Sequence, residues 1–205
     1  TVNPNAEIPR YWTSQGGATG ALGAAVSPGI VPGPAGTTIG YFAGGDVYCT
    51  PRIGAVSVIG DLLTKYGSMG GAGSALGPPL SPRVAFTAGG VSGFFQEFQA
   101  GTMMSSTSTG TFPVLYGPMR DAWGARGGSG GSMGWPTGDP LTVSGGIRQQ
   151  FQNGVIMVPT GQAAIIVNGG IGRYWASGSN ATLLGSPTSA ATAFVAGGVS
   201  GTLQY

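Results

Sequence analysis

Histidine is absent from the 205-residue sequence, and cysteine occurs once, at Cys49. Without histidine the chain has no imidazole general base, no Ser-His-Asp or Cys-His arrangement and no His-ligated metal. A single cysteine excludes a disulfide or a Cys-rich zinc site within this sequence, and we interpret Cys49 as a small apolar strand residue. Most classes of enzyme are therefore disfavoured, and we expect no catalytic residue, no metal site and no cofactor.

Charged residues are also scarce. They make up 7% of the sequence, with eight basic against six acidic residues and a net charge of +2. They are scattered singly and form no basic stripe of the kind that neutralises phosphates or anionic lipid. No apolar run approaches the length of a membrane span, and the first residues lack the basic and apolar regions of a signal peptide. We therefore expect neither nucleic acid nor membrane insertion among the partners.

Glycine and proline, in contrast, are abundant, with 42 and 15 residues. Such a content is typical of disordered chains. Disorder also requires low hydrophobicity and high charge, however, and here 41% of the residues are hydrophobic. The glycines lack the every-third spacing of collagen. We therefore expect a folded chain in which glycine serves turns and close approaches.

One pattern occurs four times along the chain. It starts with two apolar residues spaced i to i+4, which places both on one face of a short helix. A Gly-rich stretch follows each pair. The sequence therefore predicts a short helix at each of four pairs. These are Ile8 with Trp12, Ile59 with Leu63, Met119 with Trp123, and Ile171 with Trp175.

Each Gly-rich stretch leads to an apolar residue, a Gly and, in three of the four copies, a Pro two positions after the Gly. A buried apolar side chain, a Gly free to adopt positive φ and a Pro that fixes the exit direction predict a rigid corner. We interpret the corners as structural. Their residues are Leu22 and Gly23; Leu76, Gly77 and Pro79; Met133, Gly134 and Pro136; and Leu184, Gly185 and Pro187.

A strand with an aromatic residue three positions before a Gly follows each of the first three corners. The aromatic residues are Phe42, Phe98 and Phe151, and Tyr205 ends the sequence at the corresponding place, with separations of 56, 53 and 54 residues. After Phe151, an Asn-Gly dipeptide between alternating strands is a strong hairpin signal. A further strand then returns to the next helix. We therefore predict three short strands, one helix and one corner per unit.

These units predict a mainly β fold with short helices, built from four pseudo-symmetric repeats of about 54 residues that bury a core by meeting their neighbours. We place the units at approximately 8–58, 59–118, 119–170 and 171–205, the last incomplete, within a single domain of residues 1–205. A compact closed or propeller-like arrangement is favoured, because an open stack would expose apolar ends and strand edges. Either the residues before Ile8 close the ring with the last strand, or the protein continues beyond Tyr205.

The combination of I-x-x-x-W, a Gly-rich loop, L-G-x-P and F-x-x-G resembles the LGFP-repeat family over essentially the whole chain. The resemblance implies a module in the cell envelope of actinobacteria that bear mycolic acids, beside mycoloyltransferase or peptidoglycan amidase domains. It implies an extracellular location and non-catalytic attachment to wall polysaccharide, with arabinogalactan as the ligand. No copy spells L-G-F-P literally. The third letter is Ala24, Pro78, Trp135 or Ser186, and Ala25 replaces the Pro of the first copy.

Four residues are candidates for ligand binding, and three of them also have a simpler structural interpretation. Trp135 has no apolar helical partner, so we expect it to be exposed at the corner and to offer a stacking face to a sugar ring. Asp139 is either a sugar ligand or a turn and capping residue. Arg10 and Arg173 lie off the apolar helix faces, where they either bind sugar hydroxyls or stay solvated.

The remaining aromatic and acidic residues indicate a scaffold rather than an enzyme. We interpret Trp12, Trp123 and Trp175 as mostly buried residues of the helix faces, although a tryptophan can also stack on sugars. Glycoside hydrolysis requires two facing carboxyl groups, and the six acidic residues are spread over different units. Two alternatives to wall attachment remain: a structural module that stabilises or orients an adjacent catalytic domain by protein contacts, and a propeller lectin for a soluble sugar.

Overall fold

The computed structural model describes residues 2–176, 185, 187–189, 192–196 and 199–203. Leu184, Tyr205 and the side chain of Arg173 lie outside the described residues. The predicted class, mainly β with short helices, is confirmed. The helices are α1 Pro4–Ser14, α2 Gly60–Ser68, α3 Pro118–Gly124 and α4 Gly169–Ala176. None of the described helices is long and apolar enough to cross a membrane.

The described strands form three four-stranded antiparallel sheets and one hairpin, with orders β1-β2-β3-β4, β5-β6-β7-β8, β12-β11-β10-β9 and β13-β14. These strands form no closed barrel, because each sheet runs in chain order from one edge to the other. The strands are β1 Ala25–Pro32, β2 Thr38–Phe42, β3 Gly45–Thr50, β4 Gly54–Ile59, β5 Val84–Ala88, β6 Val91–Phe98, β7 Gly101–Ser106, β8 Gly110–Leu115, β9 Leu141–Val143, β10 Gly146–Phe151, β11 Gly154–Pro159, β12 Ile165–Asn168, β13 Thr192–Ala196 and β14 Val199–Leu203.

Contacts divide the chain into two compact units. One consists of Thr1–Phe86 with Ser92–Thr107, and the other of Thr87–Val91 with Ser108–Tyr205. The first unit contains α1, the sheet β1 to β4 and α2, and the second contains α3, the sheet β9 to β12 and α4. The single domain, the unit boundaries at 59, 119 and 171, and the propeller-like arrangement stay predictions.

Each four-stranded sheet has one strand more than expected, namely the strand between the corner and the aromatic hairpin. β1 is mostly exposed, and its register with β2 shifts between Ala25 and Ile30. β9 has only three residues. Both strands lie at sheet edges and pair on one side only. Their sequences therefore lack the alternation of apolar and polar residues that indicates a half-buried strand. The prediction of three strands per unit is wrong, because each sheet has this additional edge strand.

The predicted aromatic hairpins are confirmed. In each of the three sheets the aromatic residue pairs with the Gly three positions later: Phe42 with Gly45, Phe98 with Gly101, and Phe151 with Gly154. The three phenylalanines are buried in the core, and so is Cys49 in β3. Cys49 therefore has the predicted role of a small apolar strand residue.

The Gly-rich stretches reverse the chain after the first three helices. Each stretch contains two consecutive glycines with positive φ and a single 3₁₀ turn. Successive left-handed residues are favourable only for glycine, which accounts for part of the unusual composition. The φ values are 94° and 59° at Gly16 and Gly17, 100° and 58° at Gly70 and Gly71, and 88° and 59° at Gly127 and Gly128.

The first three predicted corners have the expected buried residue and left-handed glycine, and at the fourth the structure describes Gly185 but not Leu184. Leu22, Leu76 and Met133 are buried, and the corner glycines have φ values between 68° and 73°. In every copy an aromatic side chain of the helix donates a hydrogen bond to the corner glycine carbonyl. The bonds are Trp12 Nε1 to Gly23 O at 2.7 Å, Tyr66 Oη to Gly77 O at 2.7 Å, Trp123 Nε1 to Gly134 O at 2.9 Å and Trp175 Nε1 to Gly185 O at 2.7 Å.

The apolar pair of the second helix differs from the expected one. Ile59 ends β4 and Leu63 is only half-buried, whereas Leu62 and Tyr66 are 1% and 0% exposed. The predicted pair is therefore wrong by three residues, because α2 begins only at Gly60. Tyr66 replaces the tryptophan of the other helices. Trp123 and Trp175 are buried as expected, while Trp12 is half-buried.

Two buried glutamines tie successive sheets to the corners. Gln96 Nε2 donates to Ser57 O of β4 at 2.9 Å and to Ser81 O after the second corner at 2.8 Å. Gln149 Nε2 donates to Pro113 O of β8 at 2.7 Å and to Gly138 O after the third corner at 3.0 Å. Both side chains are 0% exposed. Each amide therefore links the last strand of one sheet to the segment that enters the next.

Candidate ligand-binding site

Trp135 lies in the interior, which corrects the expectation of an exposed stacking face. It is 0% exposed, and its Nε1 donates to Ala88 O of β5 at 2.9 Å. Its backbone N–H donates to Gln152 Oε1 at 2.9 Å. The ring is covered by a hairpin that is remote in sequence, so the absence of an i, i+4 partner did not mean exposure. A buried ring offers no face to a sugar.

Asp139 is exposed at the rim of a surface groove of about 290 Å³. Gly138, Leu141, Arg148 and Gln150 line the groove with it. Arg148 and Gln150 alternate along β10 and therefore share one face of the sheet. The groove thus combines a carboxylate, a guanidinium and a carboxamide around an exposed leucine.

Arg148 is the functional candidate that the sequence reasoning missed. Its guanidinium carbon lies 5.2 Å from the centroid of the Trp175 ring. Its Nη1 is buried and, within the part of the chain that the structure describes, has no hydrogen-bond partner. Stacking on an aromatic ring restricts a guanidinium, so this donor is held in place while its hydrogen bond is unmade. The alternation of Arg148 and Gln150 in the predicted hairpin strand was the available signal.

The two other predicted ligand residues do not contribute described contacts to the groove. Arg10 is exposed on α1 and donates from Nη1 to Glu7 Oε1 at 2.7 Å. This arrangement fits the simpler interpretation of a solvated charge. The side chain of Arg173 is outside the described residues, so its role stays a prediction.

The other acidic side chains lie on different elements and have different neighbours. Glu97 Oε2 accepts a hydrogen bond from Thr102 Oγ1 at 2.7 Å, and Asp46 Oδ2 accepts one from Tyr48 Oη at 3.5 Å. Asp61 and Asp121 are exposed in the first turns of α2 and α3. Among the described residues no group of three or more His, Cys, Asp or Glu side chains is placed to hold a metal ion. Among the residues that line the groove, Asp139 is the one acidic side chain.

Burial raises the pKa of the Asp46 carboxyl, and the Tyr48 hydroxyl opposes this rise only in part. A carboxyl whose pKa is higher in the folded state destabilises the fold as the pH rises through its unfolded pKa of about 3.9. We expect Asp46→Asn to raise the melting temperature at pH 7 and to have no effect well below pH 3.9. Thermal unfolding followed by circular dichroism across this pH range measures the difference. Asp61→Asn, which removes an exposed charge from a helix N-terminus, should give no such gain.

Corner, four-stranded sheet and helix recur in one order, which defines a repeat protein with a surface groove on its third sheet. The family model described as LGFP repeat matches residues 22–74, 76–131 and 133–180. The matched segments cover well over half of the chain, and the chain belongs to the LGFP repeat family. No curated protein matches the sequence significantly.

The match corrects the number of repeats from four to three. Each matched repeat begins at a corner, with Leu22, Leu76 or Met133, and runs through a four-stranded sheet and the following helix. Helix α1 therefore precedes the first matched repeat, and the fourth corner, with Gly185, follows the third matched repeat. The helix with Ile171 and Trp175, which was predicted to open a fourth unit at 171–205, belongs to the third matched repeat.

Proposed function

We propose that this chain is a non-catalytic module that attaches an envelope or secreted protein to actinobacterial wall polysaccharide, with arabinogalactan as the ligand. The groove of the third repeat carries the proposal, because the Asp139 carboxylate and the Arg148 guanidinium line one surface there. Sugar hydroxyls both donate and accept hydrogen bonds, so a ligand of this class needs acceptors and donors side by side. Membership in the LGFP repeat family supports the coarser part of the proposal, that the chain is a repeat module.

Such a site is shallow and binds weakly, so the overall affinity for a polymer depends on several sites acting together. A groove of about 290 Å³ is at the small end of ligand sites, which span about 300–1,000 Å³. Repeated weak contacts with one polymer raise the effective concentration at each further site. The proposed location is the extracellular side of the cell envelope, and a covalently linked catalytic domain is a proposed further partner. Nucleic acid and membrane insertion have no part in this proposal.

Two substitutions in the groove are expected to weaken attachment. Asp139→Ala removes the acceptor, and Arg148→Met removes the donors while keeping an apolar stem over the Trp175 ring. Hydrogen bonds to charged groups contribute about 1.5–3 kcal/mol, so each variant should bind about tenfold more weakly or worse. Retention of the 205-residue chain on insoluble wall arabinogalactan measures the effect. Arg126→Met, which removes an exposed arginine outside the groove, is the matched control and should be retained like the wild type.

The alternative function, a structural module for a neighbouring catalytic domain, gives a different result. The wild-type chain would then not be retained, and deleting it from the full-length protein would lower the stability of the neighbouring domain. Retention that is equal in the wild type and in both groove variants would contradict the proposed site.

A further inference from the structure

A second hollow lies at the second corner, between the β1–β2 connection, the Gly-rich stretch after α2 and the turn after β6. Its volume is about 670 Å³. This value falls within the usual range of small-molecule sites, about 300–1,000 Å³. The residues that matter for its chemistry are Pro34, Ala35, Gly73, Ser74, Gln99 and Ala100. None of them belongs to the groove beside Asp139.

The third corner shows what fills the equivalent space. Trp135 follows Gly134 there as Pro78 follows Gly77 at the second corner. The Trp135 ring is fully buried and donates to Ala88 O of the preceding sheet's first hairpin. Pro78 is also buried, but it does not line the hollow, whereas its neighbour Gly77 does.

The walls of the two places correspond. At the second corner, a Cβ at Gly73 would lie 3.3 Å from Pro34 Cβ, so the Gly-rich stretch touches the connection of the preceding hairpin. At the third corner, a Cβ at Gly130 would lie 3.7 Å from Ala88 Cβ in the corresponding contact. The hollow is therefore bordered by elements that correspond to those beside the Trp135 ring at the third corner.

The second corner also lacks a hydrogen-bond donor that the third corner has. Gln152 Oε1 accepts the backbone N–H of Trp135, and Gln99 stands at the equivalent position after Phe98. Proline has no N–H to donate, so the exposed Gln99 has no counterpart of the backbone donor that Gln152 Oε1 receives at the third corner. The backbone is otherwise the same, since Gln99 N donates to Pro78 O at 2.9 Å and Gln152 N to Trp135 O at 3.0 Å.

We propose that this hollow binds one furanose or pyranose ring of the wall polysaccharide, an inference that rests on the proposed function. The C–H groups of the ring pack on Pro34, Ala35 and Ala100, and a ring hydroxyl donates to Gln99 Oε1. A sugar supplies the missing ring and the missing donor in one group. The Ser74 hydroxyl and the neighbouring backbone groups provide further hydrogen bonds at the rim.

Filling the hollow tests the inference. Pro78→Trp places a ring where Trp135 lies in the third repeat and gives Gln99 an N–H donor. Amide spectra of the ¹⁵N-labelled 205-residue chain are recorded during titration with soluble arabinogalactan oligosaccharides. In the wild type we expect the amide signals of Gly73, Ser74, Gln99 and Ala100 to shift during the titration. In Pro78→Trp the binding followed at these amides should be at least about tenfold weaker. Pro78→Ala, which removes the proline but leaves the hollow open, should keep the shifts.

The outcomes separate this inference from the proposed function. Shifts confined to the amides around Asp139 overturn the inference and leave wall attachment intact, whereas no shifts anywhere overturn both. A response of the hollow to N-acetyltryptophanamide but not to the oligosaccharides also overturns it, in favour of an aromatic side chain of a partner protein. If Pro78→Trp does not fold, Gln99→Ala takes its place. Weaker binding at the hollow supports the inference, and unchanged binding overturns it.

Discussion

Replacing Trp123 with Ala is expected to lower the free energy of unfolding by about 3–5 kcal/mol. Trp123 is 6% exposed, stacks on Phe151 at a centroid distance of 5.9 Å and donates to Gly134 O. The variant loses this packing and leaves a cavity. It also leaves the corner carbonyl without its donor, and an unsatisfied buried group adds to the cost. The loss should be close to the largest that a single substitution causes in this chain.

Trp123→Phe separates the hydrogen bond from the packing. It keeps an aromatic ring against Phe151 but removes the indole N–H, so we expect a smaller loss of about 1–3 kcal/mol. Tyr66→Phe should show a similar loss at the second corner, because Tyr66 Oη makes the equivalent bond. Urea unfolding followed by circular dichroism gives these free energies.

Tyr174→Phe is the matched control for loss of an aromatic donor, because Tyr174 is 64% exposed on α4. Its effect should stay within about 0.5 kcal/mol. Wild-type stability of both Trp123→Phe and Tyr66→Phe would show that the repeated bond between helix and corner does not stabilise the fold.

Gly131→Ala is expected to cost about 3 kcal/mol or more, for a purely steric reason. A Cβ at Gly131 would lie 1.7 Å from Arg126 O and 2.6 Å from Arg126 C, both backbone atoms. The φ of Gly131 is −93°, which any residue adopts, so restricted backbone freedom is not the cause. The stretch between α3 and the third corner must shift to admit the methyl group. Gly20 stands in the same situation in the first copy, where a Cβ would lie 1.9 Å from Gln15 O.

Gly124→Ala is the control for this substitution. Nothing lies within 4 Å of a Cβ at Gly124, which is the last residue of α3. Alanine is favoured over glycine in helices by about 0.5–1 kcal/mol, so this variant should be as stable as the wild type or slightly more stable. Thermal unfolding of the two variants side by side decides the point. Equal melting temperatures would mean that the close approach at Gly131 is not required.

Local signals in the sequence were sufficient for the parts of the fold that local chemistry determines. The corners at Gly23, Gly77 and Gly134 follow from an apolar residue and a Gly that adopts positive φ. The hairpin after Phe151 follows from Asn-Gly between alternating strands. The second helix was misplaced because its aromatic residue is a tyrosine. The spacing of eleven residues between Tyr66 and Gly77, which equals that between Trp12 and Gly23, would have located it.

The parts that were missed depend on contacts between residues remote in sequence. The buried Trp135 ring donates a hydrogen bond to Ala88 O, 47 residues away in the sequence. Gln149 donates one to Pro113 O, 36 residues away. Neither partner has a distinctive sequence. Asp139 was the one groove residue that the sequence predicted. Arg148 was missed because its contact with Trp175 joins β10 to α4, and two strands separate these elements in the sequence. Periodicity identifies the elements but does not identify which of their side chains meet.

If buried hydrogen bonds hold the scaffold and binding is confined to surface sites such as the groove, substitutions at the two places should have separable effects. Retention on insoluble wall arabinogalactan, measured for Asp139→Ala and Trp123→Phe at a temperature where both are folded, tests this most directly. We expect Asp139→Ala to keep the wild-type melting temperature and to lose about tenfold in retention. Trp123→Phe should have a lower melting temperature and wild-type retention. Full retention of Asp139→Ala, together with loss of retention in folded Trp123→Phe, would show that binding depends on the buried corner and not on the groove.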